Sequence, residues 1–309
     1  VILWIAGWMN NSGMVITNPM PFYYLSIWII NPLPFSVAGG IALALVISQV
    51  FHFNSIVQKH EVLNRTSYVP ALTYFLMSAL IPAFTTFNPI IFANSILLFV
   101  IDKTFRIYKH PRPAALIFDS CFLIGAATMF YLPAIIFFPF FIICLFILKT
   151  VTIKEMLIGL SGLVIPVIFV VTWYFLTGTM DELYSKITFR PITQLYDPDG
   201  IALQGHSLTI LLITILFIIS LWKLRSGFYK SIIKVRRFYQ LFFVFIIAGL
   251  LSVLISPSNS PYRFMILVAP LSIFISNYLV SVTRNWWAEL FFWLITAVII
   301  FNYSFPFIA

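Results

Sequence analysis

Ten fairly complete apolar runs, joined by charged links, limit what this chain can become. They cover about 36–53, 69–84, 88–101, 114–130, 133–148, 156–177, 207–223, 239–256, 263–282 and 287–304. A helix needs about 20 apolar residues to cross a bilayer. Several runs are shorter than that, so their helices are expected to extend into the links. Val1–Trp8 reads as the tail of an eleventh run. The runs are continuous rather than alternating in polarity, which argues against a transmembrane β-barrel. The expected fold is all-α, a polytopic transmembrane helix bundle of about 10–11 spans forming a single domain over 1–309. Composition agrees, with 61% hydrophobic and 9% charged residues and a mean hydropathy of +1.03. Soluble domains carry about 25% charge, so a soluble globular enzyme, a disordered chain and a secreted disulfide scaffold are excluded. Val1 is not an initiator Met and no basic segment precedes the first apolar residues. We therefore expect the true start to lie upstream, and a cleaved signal peptide is one way to lose it.

The net charge of +9 does not signal nucleic acid, because the cations sit in short links between apolar runs. There they report orientation. Of the 18 Lys and Arg, all but Lys186, Arg190 and Arg263 fall in one alternating set of links. That bias keeps its phase across every run, so this set is expected to face the cytoplasm. Residues 9–35, 178–206 and the C-terminus are then outside. The expected location is the bacterial cytoplasmic (inner) membrane, multi-pass. Pro19, Pro21, Pro32 and Pro34 interrupt 14–35, while Phe22, Tyr23, Tyr24 and Trp28 suit a membrane interface, so an interfacial or re-entrant segment is expected there.

Ionisable residues at membrane depth are costly and are candidates for function. Asp119 lies about 10 Å into its run, counted from Arg112 at the rise of a helix. It reads either as a proton or cation site or as a carboxylate paired with Arg106, Lys109 or Arg112. Ser48, His52, Ser55 and Lys59 make one polar helix stripe, suited to a vestibule or to a helix end leaving the bilayer. The outer segment 178–206 mixes Asp181, Glu182, Asp197 and Asp199 with Lys186, Arg190 and His206. Its acids are candidate catalytic bases. Arg190, Lys186 and His206, with Arg263 at the start of the ninth run, are candidate ligands for a diphosphate or sugar. The alternative is a solvated loop in which Asp197-Pro-Asp-Gly200 is simply a turn. The basic stretch 223–237, with Phe228, Tyr229, Ile232, Ile233 and Val235 between its cations, reads as an interfacial helix drawn to anionic lipid. No GxxxxGK[ST] occurs, so an ATP-driven motor is not expected. Four scattered His and two Cys in apolar runs give no metal or cofactor expectation.

The stretches Ala114–Pro133 and Ile158–Pro166 resemble a family of inner-membrane proteins of unknown function from Bacteroidota. More distantly, Pro261-Tyr-Arg-Phe-Met-Ile-Leu-Val-Ala-Pro270 resembles the late segment of membrane glycosyltransferases that use polyprenyl-phosphate sugars. In those enzymes an outward Arg-Tyr or Tyr-Arg precedes an apolar helix containing Pro. They carry a catalytic acid in the first outer loop, whereas 9–35 here holds no Asp or Glu. Membrane polysaccharide polymerases and ligases are similar too, and rely on outer arginines instead. The resemblance implies a protein handling lipid-linked glycan at the outer face, transferase- or polymerase-like. A non-catalytic subunit of a larger membrane assembly is the alternative, and a secondary transporter using Asp119 is the second. The expected partners are membrane lipids, a polyprenyl-phosphate-linked glycan and other integral subunits.

Overall fold

A computed structural model of the chain describes residues 35–63, 65–85, 87–186, 207–228, 232–256, 261–282 and 285–304. The expected segment Val1–Trp8 and all of 9–35 except its last residue lie outside the described residues. The fold is all-helical, and no strand occurs among the described residues. The helices are α1 (Phe35–Lys59), α2 (Val69–Ser78), α3 (Pro89–Ile107), α4 (Ala114–Phe130), α5 (Phe137–Leu148), α6 (Ile153–Leu176), α7 (Met180–Lys186), α8 (Ser207–Phe228), α9 (Ile233–Ile255), α10 (Val268–Ser281) and α11 (Asn285–Ser304). Five described helical stretches are long and apolar enough to cross a membrane: Val37–Lys59, Ile153–Leu176, Leu208–Arg225, Ile233–Ile255 and Pro261–Ser281. Shorter apolar helices fill the remaining runs. The protein is therefore a helical membrane protein.

Local chemistry sets the boundaries. Asn88 caps α3 by accepting from the Ile91 N–H at 3.1 Å, with Pro89 in the first turn, where its missing N–H costs nothing. Thr152 and Glu155 form a reciprocal capping box at the start of α6. Two apolar stretches open with 3-10 turns, Leu132–Ile136 before α5 and Pro261–Leu267 before α10. Pro139 and Pro270 each stand third in the α-helix that follows. A Pro there has no N–H to bond the carbonyl four residues back, at Ile135 or Ile266, so the α pattern cannot extend further toward the N-terminus. The expected run 69–84 is likewise divided, into α2 and a 3-10 turn at Pro82–Thr85.

Two helix ends differ from expectation. α3 runs to Ile107, six residues beyond the apolar run, because its acid and cations pair within the structure. The stretch 223–237, expected as an interfacial basic helix in a cytoplasmic loop, instead contributes to the end of α8 and the first turns of α9, with 229–231 outside the described residues. Long Lys and Arg stems cover apolar helix surface while their heads reach outward, so such residues extend helices rather than stop them.

Ion pairs collect at one end of the bundle, here the basic end. Lys234 pairs with Glu61 at 3.4 Å, Lys149 with Glu155 at 2.5 Å, and Arg237 donates to the Leu148 carbonyl at 2.7 Å. The last contact caps the C-terminus of α5 with positive charge. α4 and α6 cross in close backbone contact. A Cβ on Gly162 would lie 2.5 Å from the Phe118 carbonyl oxygen, and one on Gly125 2.6 Å from that of Leu163. Lipid tails give helices no hydrophobic reason to associate, so small residues that allow such approach supply the packing. α6 and α8 lie at the perimeter, each with most of its apolar residues unburied.

Candidate functional site

The interior carries polar groups that apolar packing alone does not require. Gln49 of α1, Tyr74 of α2 and Asn94 and Ser95 of α3 form a network in the apolar layer. The Gln49 amide donates to the Ile91 carbonyl at 2.8 Å and to Ser95 Oγ at 2.7 Å. Its oxygen accepts from Tyr74 Oη at 2.8 Å and from Asn94 Nδ2 at 3.3 Å, and Asn94 also donates to Tyr74 Oη at 2.9 Å. Each amide and hydroxyl is satisfied, as low-dielectric surroundings demand. Asn302 of α11 similarly donates to Thr209 Oγ1 and the Leu80 carbonyl at 2.7 and 2.8 Å.

At the basic end, Asp102 gathers Lys59 at 3.1 Å, His60 Nε2 at 2.8 Å and Arg106. Phe105 and Phe238 set their rings edge-on to His60. Asp102 lies just past the apolar run ending at 101, and its side chain is 7% exposed. Burial pushes its carboxyl up, but hydrogen bonds from His60, Arg106 and Lys59 outweigh that and hold it well below the usual carboxylate range. Sequence reasoning missed Asp102, whose partners are one turn away on α3 or more than 40 residues back at the end of α1.

Asp119 pairs with Lys103 at 2.7 Å across α3 and α4, not with Arg106, Lys109 or Arg112, and its side chain is half-exposed. His52 is half-buried with its ring 4.3 Å from that of Phe99, and Lys59 of the same stripe turns to Asp102. Asp181 is exposed on α7, a short helix at the start of 178–206 that docks on Met129, Val170 and Tyr174. Arg190, Asp197, Asp199 and His206, and the side chains of Glu182 and Lys186, lie outside the described residues. Among the described residues, no three His, Cys, Asp or Glu gather as a metal site requires.

Arg263 lies at the end opposite the basic one and is 2% exposed in its 3-10 turn. Its guanidinium carbon stands 5.5 Å from the Phe264 ring centroid, in cation–π range. Tyr131, fully buried between α4 and α5, donates to the Ser252 carbonyl at 2.9 Å. Burial pushes the Tyr131 phenol up to about 12, while the Ser252 contact and the Arg263 charge pull it down. A buried cation thus stands among hydroxyls at this end.

Phe264 also walls a cleft of about 300 Å³. Met77 of α2, Leu80, Ile81 and Phe84 form one side, Ile210, Ile213 and Phe217 of α8 another, and Ile246, Leu250, Leu267 and Leu271 the rest. Thr214, the one hydroxyl in the lining, donates to its own helix at Ile210. Leu250, 47% exposed, places the mouth of the cleft at the surface between α8 and α9. The lining offers dispersion contacts and no polar selection, which suits a hydrocarbon chain.

The fold and cleft define a polytopic helical membrane protein with an apolar chain-sized recess beside a buried cation. The chain belongs to a family of unknown function, DUF6427, matched over residues 4–308. No curated protein and no solved structure matches it.

Proposed function

We propose that the protein handles a lipid-linked glycan at the outer face of the bacterial cytoplasmic membrane, in a transferase- or polymerase-like role. The observation that carries this reading is the apolar cleft ending at Phe264, beside Arg263. In this reading the basic end faces the cytoplasm and the C-terminus lies outside. The cleft takes the polyprenyl chain, leaving its phosphate at the Arg263 end. Arg263 is buried, so it acts through its field in a low-dielectric surrounding. Direct contacts to the diphosphate fall to Arg190 and Lys186, with His206 beside the sugar, and Asp181, Glu182, Asp197 or Asp199 supplies a base. The likeness of Pro261–Pro270 to polyprenyl-phosphate glycosyltransferases supports the same assignment.

The test is mass spectrometry of the protein purified gently from its native membrane. A retained polyprenyl-phosphate species, lost on Leu250→Trp and weakened by Arg263→Ala, is the expected result. A chain that retains no such lipid, or normal glycan in cells expressing a well-inserted Arg190→Ala, Arg263→Ala double variant, overturns the reading.

One observation favours a non-catalytic integral subunit instead. α6 presents Leu157, Leu160, Ile168, Phe169 and Trp173 outward along its length, a face that partner helices can cover. Fixed stoichiometric partner chains in the same purification, without a polyprenyl lipid, select that reading. Asp119, paired at the basic end, supports neither.

A further inference from the structure

We propose that a second groove, at the basic end, binds one anionic glycerophospholipid through Tyr239 and Arg236. The groove holds about 380 Å³ and is walled by Ile147 of α5, Leu221 and Leu224 of α8, Phe243 of α9 and Phe274 of α10. Tyr239 lines it and is 4% exposed. Its hydroxyl has no hydrogen-bond partner among the described residues. A buried hydroxyl left in that state is costly, and its natural remedy is an acceptor brought by a ligand. Arg236 stands one turn earlier on the same helix face, and its buried Nε also has no partner among the described residues. The neighbouring cations of α9 are engaged: Lys234 by Glu61, and Arg237 by the Leu148 carbonyl.

The order of these groups along α9 matches one class of ligand. α9 starts at Ile233, so Arg236 lies about 4.5 Å and Tyr239 about 9 Å along it at the helical rise. A glycerophospholipid presents its groups in that sequence from the surface inward: phosphate, ester carbonyl, then acyl chain. Arg236 meets the phosphate, Tyr239 donates to the ester carbonyl, and the acyl chain lies along Phe243, Leu221 and Phe274. The surrounding positive end selects an anionic headgroup over a zwitterionic one. The site is independent of the glycan reading, because it lies at the other end of the bundle from Arg263 and takes a two-chain phospholipid.

The experiment is native mass spectrometry of the full chain in detergent, titrated with phosphatidylglycerol and with phosphatidylcholine of identical acyl chains. The expected result is tighter retention of one phosphatidylglycerol. Loss of the phenol hydroxyl in Tyr239→Phe weakens it about three- to tenfold, the range of one net hydrogen bond. Arg236→Gln removes the preference for phosphatidylglycerol, while Lys154→Gln, on another helix of the same end, leaves it intact. Either variant decides the matter alone if the other fails to insert. Equal binding of the two lipids by the natural chain overturns the proposal. So does unchanged binding in Tyr239→Phe or Arg236→Gln, or an equal loss in Lys154→Gln, which would mark diffuse charge attraction. Displacement by millimolar inorganic phosphate would show a phosphate site and overturn the lipid assignment.

Discussion

Replacing Gln49 by Leu keeps a side chain of similar length and deletes four hydrogen bonds from the junction of α1, α2 and α3. Interhelical hydrogen bonds in membranes average about 0.6 kcal/mol, and in soluble proteins about 1 kcal/mol. Gln49→Leu is therefore expected to cost about 2–4 kcal/mol on those scales. The Tyr74 hydroxyl keeps its bond from Asn94 but loses its acceptor, so the change leaves a buried donor behind. Tyr74→Phe removes one donated and one accepted bond and should cost about 1–2 kcal/mol. The double variant should fall short of additivity by about 0.5–1 kcal/mol, because the Tyr74–Gln49 bond is lost only once. Equilibrium unfolding in mixed micelles, followed by the fluorescence of the 8 Trp, reads all three values. A Gln49→Leu cost below about 0.5 kcal/mol, or strict additivity, would refute the claim that this network fixes the three helices together.

Gly162→Ala should destabilise by about 2–3 kcal/mol, since its Cβ meets the Phe118 carbonyl at 2.5 Å. Gly40→Ala, which has open space, should stabilise by about 0.5–1 kcal/mol in the same unfolding assay. Tyr131→Phe should lose about 1 kcal/mol with the Ser252 contact, seen as a lower thermal midpoint in detergent. Asp102 has a folded pKa below its free value of 3.8, so its stabilisation is complete at neutral pH and drains as pH falls through the acid range. Asp102→Asn should cost about 1–2 kcal/mol at pH 7, discounted for the half-exposed Lys59 and Arg106, and flatten the acid limb of a stability–pH curve.

The positions of the described helices were largely legible because the apolar runs survive folding. Ala114–Pro133 and Ile158–Pro166 fall largely in the tightly crossed α4 and α6, where Gly125 and Gly162 make the contact. Helix rotation was not legible. The α5 sequence Phe137-Phe-Pro-Phe-Phe-Ile-Ile-Cys-Leu-Phe-Ile-Leu148 is apolar on every face, so nothing in it marks which side turns inward. The Gln49 network escaped for the same reason, since partners more than 20 residues apart meet only once each helix has its rotation. Asp119 stood out as an acid in an apolar run, yet its partner came from the preceding helix. The pairing of Arg263 with an apolar cleft needed four separate elements and left no local trace.

The 3-10 turns at the Arg263 end change how far a short run reaches. A 3-10 helix rises about 2.0 Å per residue, against 1.5 Å in an α-helix. Leu132–Leu148 therefore extends about 28 Å instead of about 25 Å, and Pro261–Ser281 about 35 Å instead of about 31 Å. The hydrocarbon layer is about 30 Å thick. By winding more tightly at its start, with a larger rise per residue, the shorter run comes close to that thickness without a need to thin the surrounding bilayer. Pro139 and Pro270 thus fix where the longer-rising entry turn gives way to α-helix, and with it the reach of each stretch.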